Sequence, residues 1–107
     1  MIYKVKMTVE AENDLDTLYS YIAFELRSPQ IAAKQLARLK NMIQSLDEMP
    51  FRFRKYPISN SDAKDIHIVT VNKYCIFYVP NESTKEVTVL RVIYGARNLP
   101  ALLSDDK

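Results

Sequence analysis

A few cationic side chains and one imidazole are the groups best suited to chemistry in this 107-residue chain. Arg91 lies inside a strongly apolar run, and Arg97 follows Gly95, the only glycine of the chain. A guanidinium group can hold a phosphate or a carboxylate through paired hydrogen bonds. His67 is the only histidine, and an imidazole can transfer protons near neutral pH. Since the residues around His67 show no metal-ligand spacing, a structural role is favoured over a catalytic one.

The segment Phe51–Pro57 alternates aromatic and basic residues. Its rings could stack on nucleobases while Arg52 and Arg54 hold phosphates, as in proteins that bind single-stranded nucleic acid. One short run is weak evidence for such a site. A surface loop whose aromatic rings lie under the helices is therefore the favoured interpretation.

The run Val87–Tyr94 must position both Arg91 and Arg97. It is nearly all β-branched, aromatic or aliphatic, which predicts a strand that is buried on both faces and central in a sheet. A charge inside such a strand is costly unless it is paired. We therefore expect Arg91 to be structural, bonded to an acid or a backbone carbonyl. Gly95 is expected to turn the backbone, which makes Arg97, just beyond it, the better functional candidate.

The remaining sequence predicts two helices and three further strands. The predicted elements are a strand at 2–7, a helix from the cap Thr8 to about Arg27, a helix from the cap Ser28 to Met49, and strands at 65–71 and 74–79, with turns at 72–73 and 80–85. The expected fold is α+β. An N-terminal strand pairs with the last strand, an antiparallel helical hairpin covers one face, and a three-stranded antiparallel meander completes a four-stranded sheet.

Composition limits the class of protein. Residues 1–107 suit a single domain. A net charge of +2 is weak support for a dedicated nucleic-acid binder. Cys75, the only cysteine, lies in an apolar run and is expected to be buried, so no internal disulfide forms. We expect no signal peptide, membrane span, metal or cofactor, and a cytoplasmic location.

Four stretches together resemble one family. They are Thr8–Leu15 at the first helix start, the helix break at Ser28-Pro29, the strand Tyr74–Tyr78, and Leu90–Asn98 with its Arg-Val-Ile-Tyr-Gly-Ala-Arg-Asn ending. Over nearly the whole chain the sequence resembles the RelE/ParE superfamily of bacterial toxins from type II toxin–antitoxin modules. The resemblance implies a twisted sheet with a helical hairpin on one face, a cognate antitoxin that wraps the toxin in a hetero-oligomer, and a role in plasmid stabilisation or stress response.

The superfamily divides by target. The RelE branch cuts mRNA on the ribosome, whereas the ParE branch inhibits DNA gyrase. At the positions of the RelE catalytic residues this chain has Ile66, Ile68, Cys75, Arg97 and Leu103, so that only the arginine after the glycine is retained. The resemblance therefore favours a ParE-like toxin that binds DNA gyrase and has no catalytic residues.

Two alternatives stay open. The first is a ribosome-dependent mRNA endoribonuclease whose site is assembled from Arg52, Arg54, His67, Arg91 and Arg97. The second is an inactive protein from a decayed module.

The predicted binding surfaces lie mainly in the tail. We expect the target to contact Arg97, Asn98, Leu99, Leu102 and Leu103, since one cation among leucines after a rigid strand makes a plausible hot spot. We expect the antitoxin to contact Phe51, Phe53, Leu99, Leu102 and Leu103, because an amphipathic helix binds through such apolar anchors.

Overall fold

A computed structural model describes residues 2–55 and 65–95 of the chain. The bounds of its elements are Lys4–Met7 (β1), Val9–Ser20 (α1), Pro29–Ser45 (α2), His67–Val71 (β2), Tyr74–Asn81 (β3) and Glu86–Tyr94 (β4), with a π-helix at Tyr21–Glu25 and a 3₁₀-helix at Pro50–Arg52. The sheet order is β1-β4-β3-β2, in which β1 lies parallel to β4 and the other neighbours are antiparallel. The predicted α+β fold, with the first strand beside the last, is confirmed.

Thr8 fixes the start of α1 on the sheet. Its Oγ1 accepts a hydrogen bond from the Ala11 N–H at 3.0 Å and donates one to the Leu90 carbonyl at 2.8 Å. One hydroxyl thus caps the helix and ties it to β4. The predicted helix to about Arg27 is corrected at its end, since the backbone widens into the π-helix after Ser20 and Arg27 is left-handed, with φ 55°.

Both predicted ends of α2 need correction. Ser28 precedes the helix, but its hydroxyl donates to the Leu26 carbonyl at 3.1 Å and caps no N–H group. The helix ends at Ser45 and does not continue to Met49. Met49 is left-handed, with φ 49°, because the following proline disfavours a helical conformation at this position.

The helices cover one face of the sheet. Apolar residues of α1 and α2, such as Leu15 and Leu39, are buried against Val69, Ile76 and Val89 of the strands. A smaller cluster on the opposite face contains Ile68, Cys75 and Phe77, with Leu90 and Ile93 packed against it. The predicted burial of Cys75 is confirmed. Within the described ranges, no helix combines the length and the apolarity that a bilayer crossing requires.

The connections at the two ends of β3 differ in how well the sequence predicted them. Asn72 and Lys73 form the predicted two-residue turn, both left-handed with φ 49° and 74°. The prediction that β3 ends before Pro80 is wrong, because β3 continues to Asn81. The β2–β3 pairing does not extend past Tyr78, so Pro80 has no β2 residue opposite it. A strand position without a neighbour on one side tolerates a residue that lacks an N–H group.

Candidate functional site

Arg91 follows an irregularity in β4. Phe77 of β3 lies opposite Arg91 and Tyr78 lies opposite Val89, so Leu90 is an extra residue in the strand. Such a bulge re-aims the side chains next to it. At the same level β1 has ended, since Met7 pairs with Val89, and the edge of β4 beyond this point is covered by α1.

Asp14 of α1 holds this edge of β4. The Arg91 guanidinium donates from Nε to Asp14 Oδ2 at 2.8 Å and from Nη2 to Oδ1 at 3.0 Å, while the Val92 N–H donates to Oδ2 at 2.9 Å. The hydrogen bond to Asp14 raises the pKa of Arg91, and burial opposes it in part. The prediction that Arg91 pairs with an acid is confirmed. The carboxylate also satisfies the Val92 N–H, which faces away from β3 and has no strand beside it among the described residues.

A groove of about 690 Å³ lies beside this ion pair. One wall is formed by α1 and the π-helix, and the other by the ends of β3 and β4. Besides Asp14 and Arg91, its lining is mainly apolar or aromatic, with Leu18, Ile22 and Leu26 on the helical side. The volume is in the range of pockets that bind ligands or the side chains of a partner.

Three tyrosines line the groove: Tyr21, Tyr74 and Tyr94. Tyr74 and Tyr94 are opposite each other in the β3–β4 register, with ring centroids 5.1 Å apart and planes inclined at 63°. Tyr94 is 64% exposed and Tyr21 54% exposed, so both rings are open to a partner. Burial raises the pKa of Tyr74, and the neighbouring Tyr94 and Tyr21 raise it further.

Arg52 is engaged at the end of α2. Its guanidinium donates to the Glu48 carbonyl at 2.5 Å, the Met49 carbonyl at 3.2 Å and the Ser45 Oγ at 3.1 Å, and it lies 4.5 Å from the centre of the Phe53 ring. A cation at a helix C-terminus stabilises the carbonyls that have no partner within the helix. Arg52 Nη1 also donates to the Ser45 carbonyl, the last of α2, at 3.4 Å, so that one guanidinium contacts the helix end and the turn that follows it.

Arg54 lies in the segment that joins the edge of β2. Its backbone carbonyl accepts the Ile68 N–H at 3.0 Å, and Lys55 forms a bridge with His67. The Arg54 side chain is exposed. The alternating segment therefore contributes backbone contacts to β2. Its cations contact different groups, since Arg52 bonds to the end of α2 and the turn after it, whereas Lys55 pairs with Asp65.

His67 is buried at the start of β2, with 3% of the residue exposed. Its Nδ1 lies 2.8 Å from the Phe53 carbonyl, and because a carbonyl can only accept, Nδ1 carries the proton. The ring contacts Phe51 and Tyr78, at centroid distances of 5.7 and 5.6 Å. Nε2 has no hydrogen-bond partner among the described residues. The favoured structural role of His67 agrees with this burial.

Tyr78 completes the buried aromatic group. Its hydroxyl donates to the Pro50 carbonyl at 2.7 Å. Burial raises the pKa of Tyr78 to about 12, and the charge of Arg52 opposes the shift. Together, His67 and Tyr78 fasten the segment after α2 to the sheet.

The described part of the alternative ribonuclease site is not assembled in one place. Arg52 contacts the Phe53 ring and His67 contacts the Phe53 carbonyl, whereas Arg91 is on β4, separated from β2 by β3, and is bonded to Asp14. In residues 2–55 and 65–95, no group of three or more His, Cys, Asp or Glu side chains is placed to hold a metal ion.

Comparison with known proteins decides the family. Residues 5–99 match the family described as ParE toxin of type II toxin-antitoxin system, parDE. The chain belongs to this toxin family. Among curated proteins, none matches the chain in sequence.

Solved toxins share the fold of this ParE-family chain. The chromosomal ParDE system of P. aeruginosa has a TM-score of 0.71 at 18% identity, covering 89% of this chain and 98% of that one. The RelBE complex of Mycobacterium tuberculosis has a TM-score of 0.60 at 23% identity, covering 88% and 99%. The archaeal RelE–RelB complex of Pyrococcus horikoshii has a TM-score of 0.63 at 18% identity, and the match covers 91% of this chain and 99% of that one. At these identities the likeness shows the fold alone.

The predicted contact residues of this ParE-family toxin divide into two groups. Arg97, Asn98, Leu99, Leu102 and Leu103 lie outside the described residues, and their role in target and antitoxin binding stays a prediction. Phe51 is 47% exposed, whereas Phe53 is partly buried and packs against the core. Phe51 is therefore the more accessible of the two aromatic anchors predicted for the antitoxin.

The tyrosine-lined groove was not predicted from the sequence. The predicted meander carried a usable signal, since an antiparallel pair joined by the turn at 80–85 places the start of one strand, Tyr74, near the end of the other, Tyr94. The contribution of Tyr21 had no such signal, because it depends on where the π-helix lies over the sheet.

Proposed function

We propose that this toxin acts by binding and inhibiting DNA gyrase, with no nucleolytic step. The observation that carries the proposal is the match of residues 5–99 to the ParE toxins, together with the sequence resemblance to the branch that targets gyrase. A binding toxin needs a shaped surface and rigid anchors, but no proton-transfer groups.

The chemistry of RNA cleavage supports the same choice. Attack by a 2′-hydroxyl needs a general base, a general acid and cations near the phosphate. Ile68 and Cys75, at positions that match RelE catalytic residues, lie in an apolar cluster and are 4% and 6% exposed. Arg52 and Arg91 already hold protein groups, a helix end and a carboxylate. These residues would have to leave their partners to serve a ribonuclease.

We further propose that a cognate antitoxin binds this chain and blocks its toxicity. The related ParDE and RelBE structures are toxin–antitoxin systems. On this chain, Phe51 and the tyrosine-lined groove provide exposed apolar area beside rigid elements. Such surfaces suit an amphipathic segment that folds on binding.

Induction in a bacterial host separates the targets. The toxin gene is expressed with and without the neighbouring short gene, and plasmid topology and mRNA 5′ ends are followed in the same cells. The proposal predicts relaxed plasmids with intact mRNA, and rescue by the neighbouring gene. Codon-phased mRNA breaks with normal plasmid supercoiling would establish the ribonuclease instead. A harmless protein would indicate a decayed module.

A further inference from the structure

The groove contains two charged side chains that neutralise each other. Asp14 and Arg91 form a bidentate pair in its wall, and the other lining residues are uncharged. The three phenol rings therefore dominate its chemistry, and Tyr21 and Tyr94 are each more than half exposed. Aromatic faces carry partial negative charge and attract a cation that approaches within about 6 Å of the ring centroid.

The surroundings of the groove are acidic. From Val9 to Glu25 the chain has five acids and no base, and the first base beyond is Arg27. Asp16 and Glu25 line an adjoining depression that shares Thr17 and Tyr21 with the groove. No basic side chain of the described residues lies within ion-pair distance of Asp16 or Glu25.

We infer that Tyr21, Tyr74 and Tyr94 form a docking site for an arginine or lysine side chain, carried on an apolar segment of the antitoxin. The inference deepens the proposed function and rests on it for the identity of the partner. The cation would lie against the phenol faces under the influence of Asp16 and Glu25, while neighbouring apolar residues of the segment cover Leu18, Ile22 and Leu26.

Charge complementarity selects this occupant over a nucleic acid. A phosphate backbone would approach acids on α1 and the π-helix, while Arg91, the one cation of the lining, is already bonded to Asp14. A purely apolar segment would fit Leu18 and Ile22 but would leave the acidic rim without partners. A segment that combines apolar residues with a cation matches both features.

A first experiment uses the full toxin chain without any partner. N-acetyl-arginine amide and N-acetyl-citrulline amide are titrated against it, and the tyrosine ring resonances are followed by NMR. Citrulline has nearly the shape of arginine and lacks its charge. The arginine probe should shift the rings of Tyr74 and Tyr94 and bind about 3- to 30-fold more tightly than citrulline, as the range of cation–π energies implies.

Equal binding of the two probes, or no shift of these rings, overturns the inference. So does a shift that appears only when the chain is truncated after residue 95, because residues 96–107 would then be the occupant of the groove. Neither result depends on the antitoxin, so this arm decides the docking site even if the proposed function fails.

A second experiment uses the complex with the product of the neighbouring gene. Tyr94→Leu should weaken its binding at least 10-fold, whereas Ile31→Ala, an exposed apolar change outside the groove lining, should leave it unchanged. The double variant Asp16→Lys/Glu25→Lys should also weaken binding at least 10-fold. Its control, Glu48→Lys/Glu82→Lys, carries the same charge change on exposed residues elsewhere.

The second experiment distinguishes failure of the proposed antitoxin binding from failure of the proposed docking site. Absence of any complex with the unaltered toxin contradicts the proposed antitoxin and leaves the probe titration to decide the groove. A complex that forms normally and is insensitive to both groove variants overturns this inference while leaving the antitoxin in place.

Discussion

At the scale of single residues, Asp14 has two functions that a substitution can separate. It neutralises Arg91 and accepts the Val92 N–H. Asp14→Asn keeps an acceptor for the N–H group and removes the charge, and we expect it to lower the free energy of unfolding by about 1–2 kcal/mol. Asp14→Ala removes both and should cost about 2–4 kcal/mol. These values lie between those of exposed and buried pairs, since Arg91 and Asp14 side chains are 31% and 16% exposed.

Urea unfolding of the two variants checks this order. The structural assignment of Arg91 would be contradicted if Asp14→Asn were as stable as the unaltered protein. An Asp14→Ala variant no less stable than Asp14→Asn would show that the bond to the Val92 N–H contributes little.

Tyr78 gives a pH dependence with a definite sign. Its pKa rises from 10.0 to about 12 on folding because burial disfavours the charged phenolate. The fold therefore favours the neutral phenol, so this stabilisation is complete below pH 10 and is lost as the pH rises to about 12. Tyr78→Phe should cost about 1 kcal/mol near neutral pH through the lost bond to Pro50, and should reduce the decline above pH 10. Equilibrium unfolding across this range measures both, and an equally steep decline in Tyr78→Phe would contradict the assignment.

Some residue roles could be predicted from sequence and others could not. The pairing of Arg91 followed from its place inside an apolar run, because an unpaired charge there is too costly. Gly95 has φ +77°, in agreement with its predicted turn, although an added Cβ would meet nothing within 4 Å. The reason for glycine is therefore the backbone conformation and not a lack of space. The partner of Arg91, Asp14, lies 77 positions away, and no local pattern identified it.

At the scale of elements, the β2–β3 hairpin is under strain at its second turn residue. Lys73 has φ 74°, a conformation that glycine adopts without cost and that is typical of the second position in this turn. Lys73→Gly should stabilise the protein by up to about 1 kcal/mol, after the greater chain entropy of glycine is subtracted. Lys73→Ala removes the same side chain and should give no gain, which makes it the matched control in thermal unfolding. Equal effects of the two would point to the side chain as the cause.

Element types were easier to predict than element ends. The spacing of Ala11, Leu15 and Leu18 identified α1, and these residues are buried as expected. The π-helix was not visible in the spacing, because apolar residues continue through Tyr21–Glu25. The last carbonyl of α2, that of Ser45, accepts a hydrogen bond from the Arg52 side chain, seven residues further along the chain, at 3.4 Å. The helix propensity of residues 29–45 does not include the effect of a side chain that lies beyond the helix.

At the scale of the whole molecule, the topology was predictable because few arrangements satisfy the chain. Two amphipathic helices need the apolar face of a sheet, and the most apolar strand belongs in its interior. The order β1-β4-β3-β2 agrees with both expectations. The candidate site was less predictable, since the groove joins α1, the π-helix, β3 and β4, and its shape depends on their relative placement.

Arg97 is predicted to contact the target, so its substitution tests how the whole molecule acts. We expect Arg97→Ala to reduce growth inhibition strongly while changing the free energy of unfolding by less than about 1 kcal/mol, because the role predicted for Arg97 is contact with the target and not support of the fold. Growth assays and unfolding of the same variant test this. If the substitution unfolds the protein, Arg97 is structural.

Inhibition of DNA gyrase through binding is the function proposed for this ParE-family toxin. The most direct measurement is the supercoiling of relaxed plasmid by purified gyrase with increasing toxin, with Arg97→Ala as the matched variant. We expect inhibition by the unaltered toxin, weaker inhibition by Arg97→Ala, and reversal when the antitoxin is added. Full supercoiling activity at a toxin concentration well above that of gyrase would contradict it.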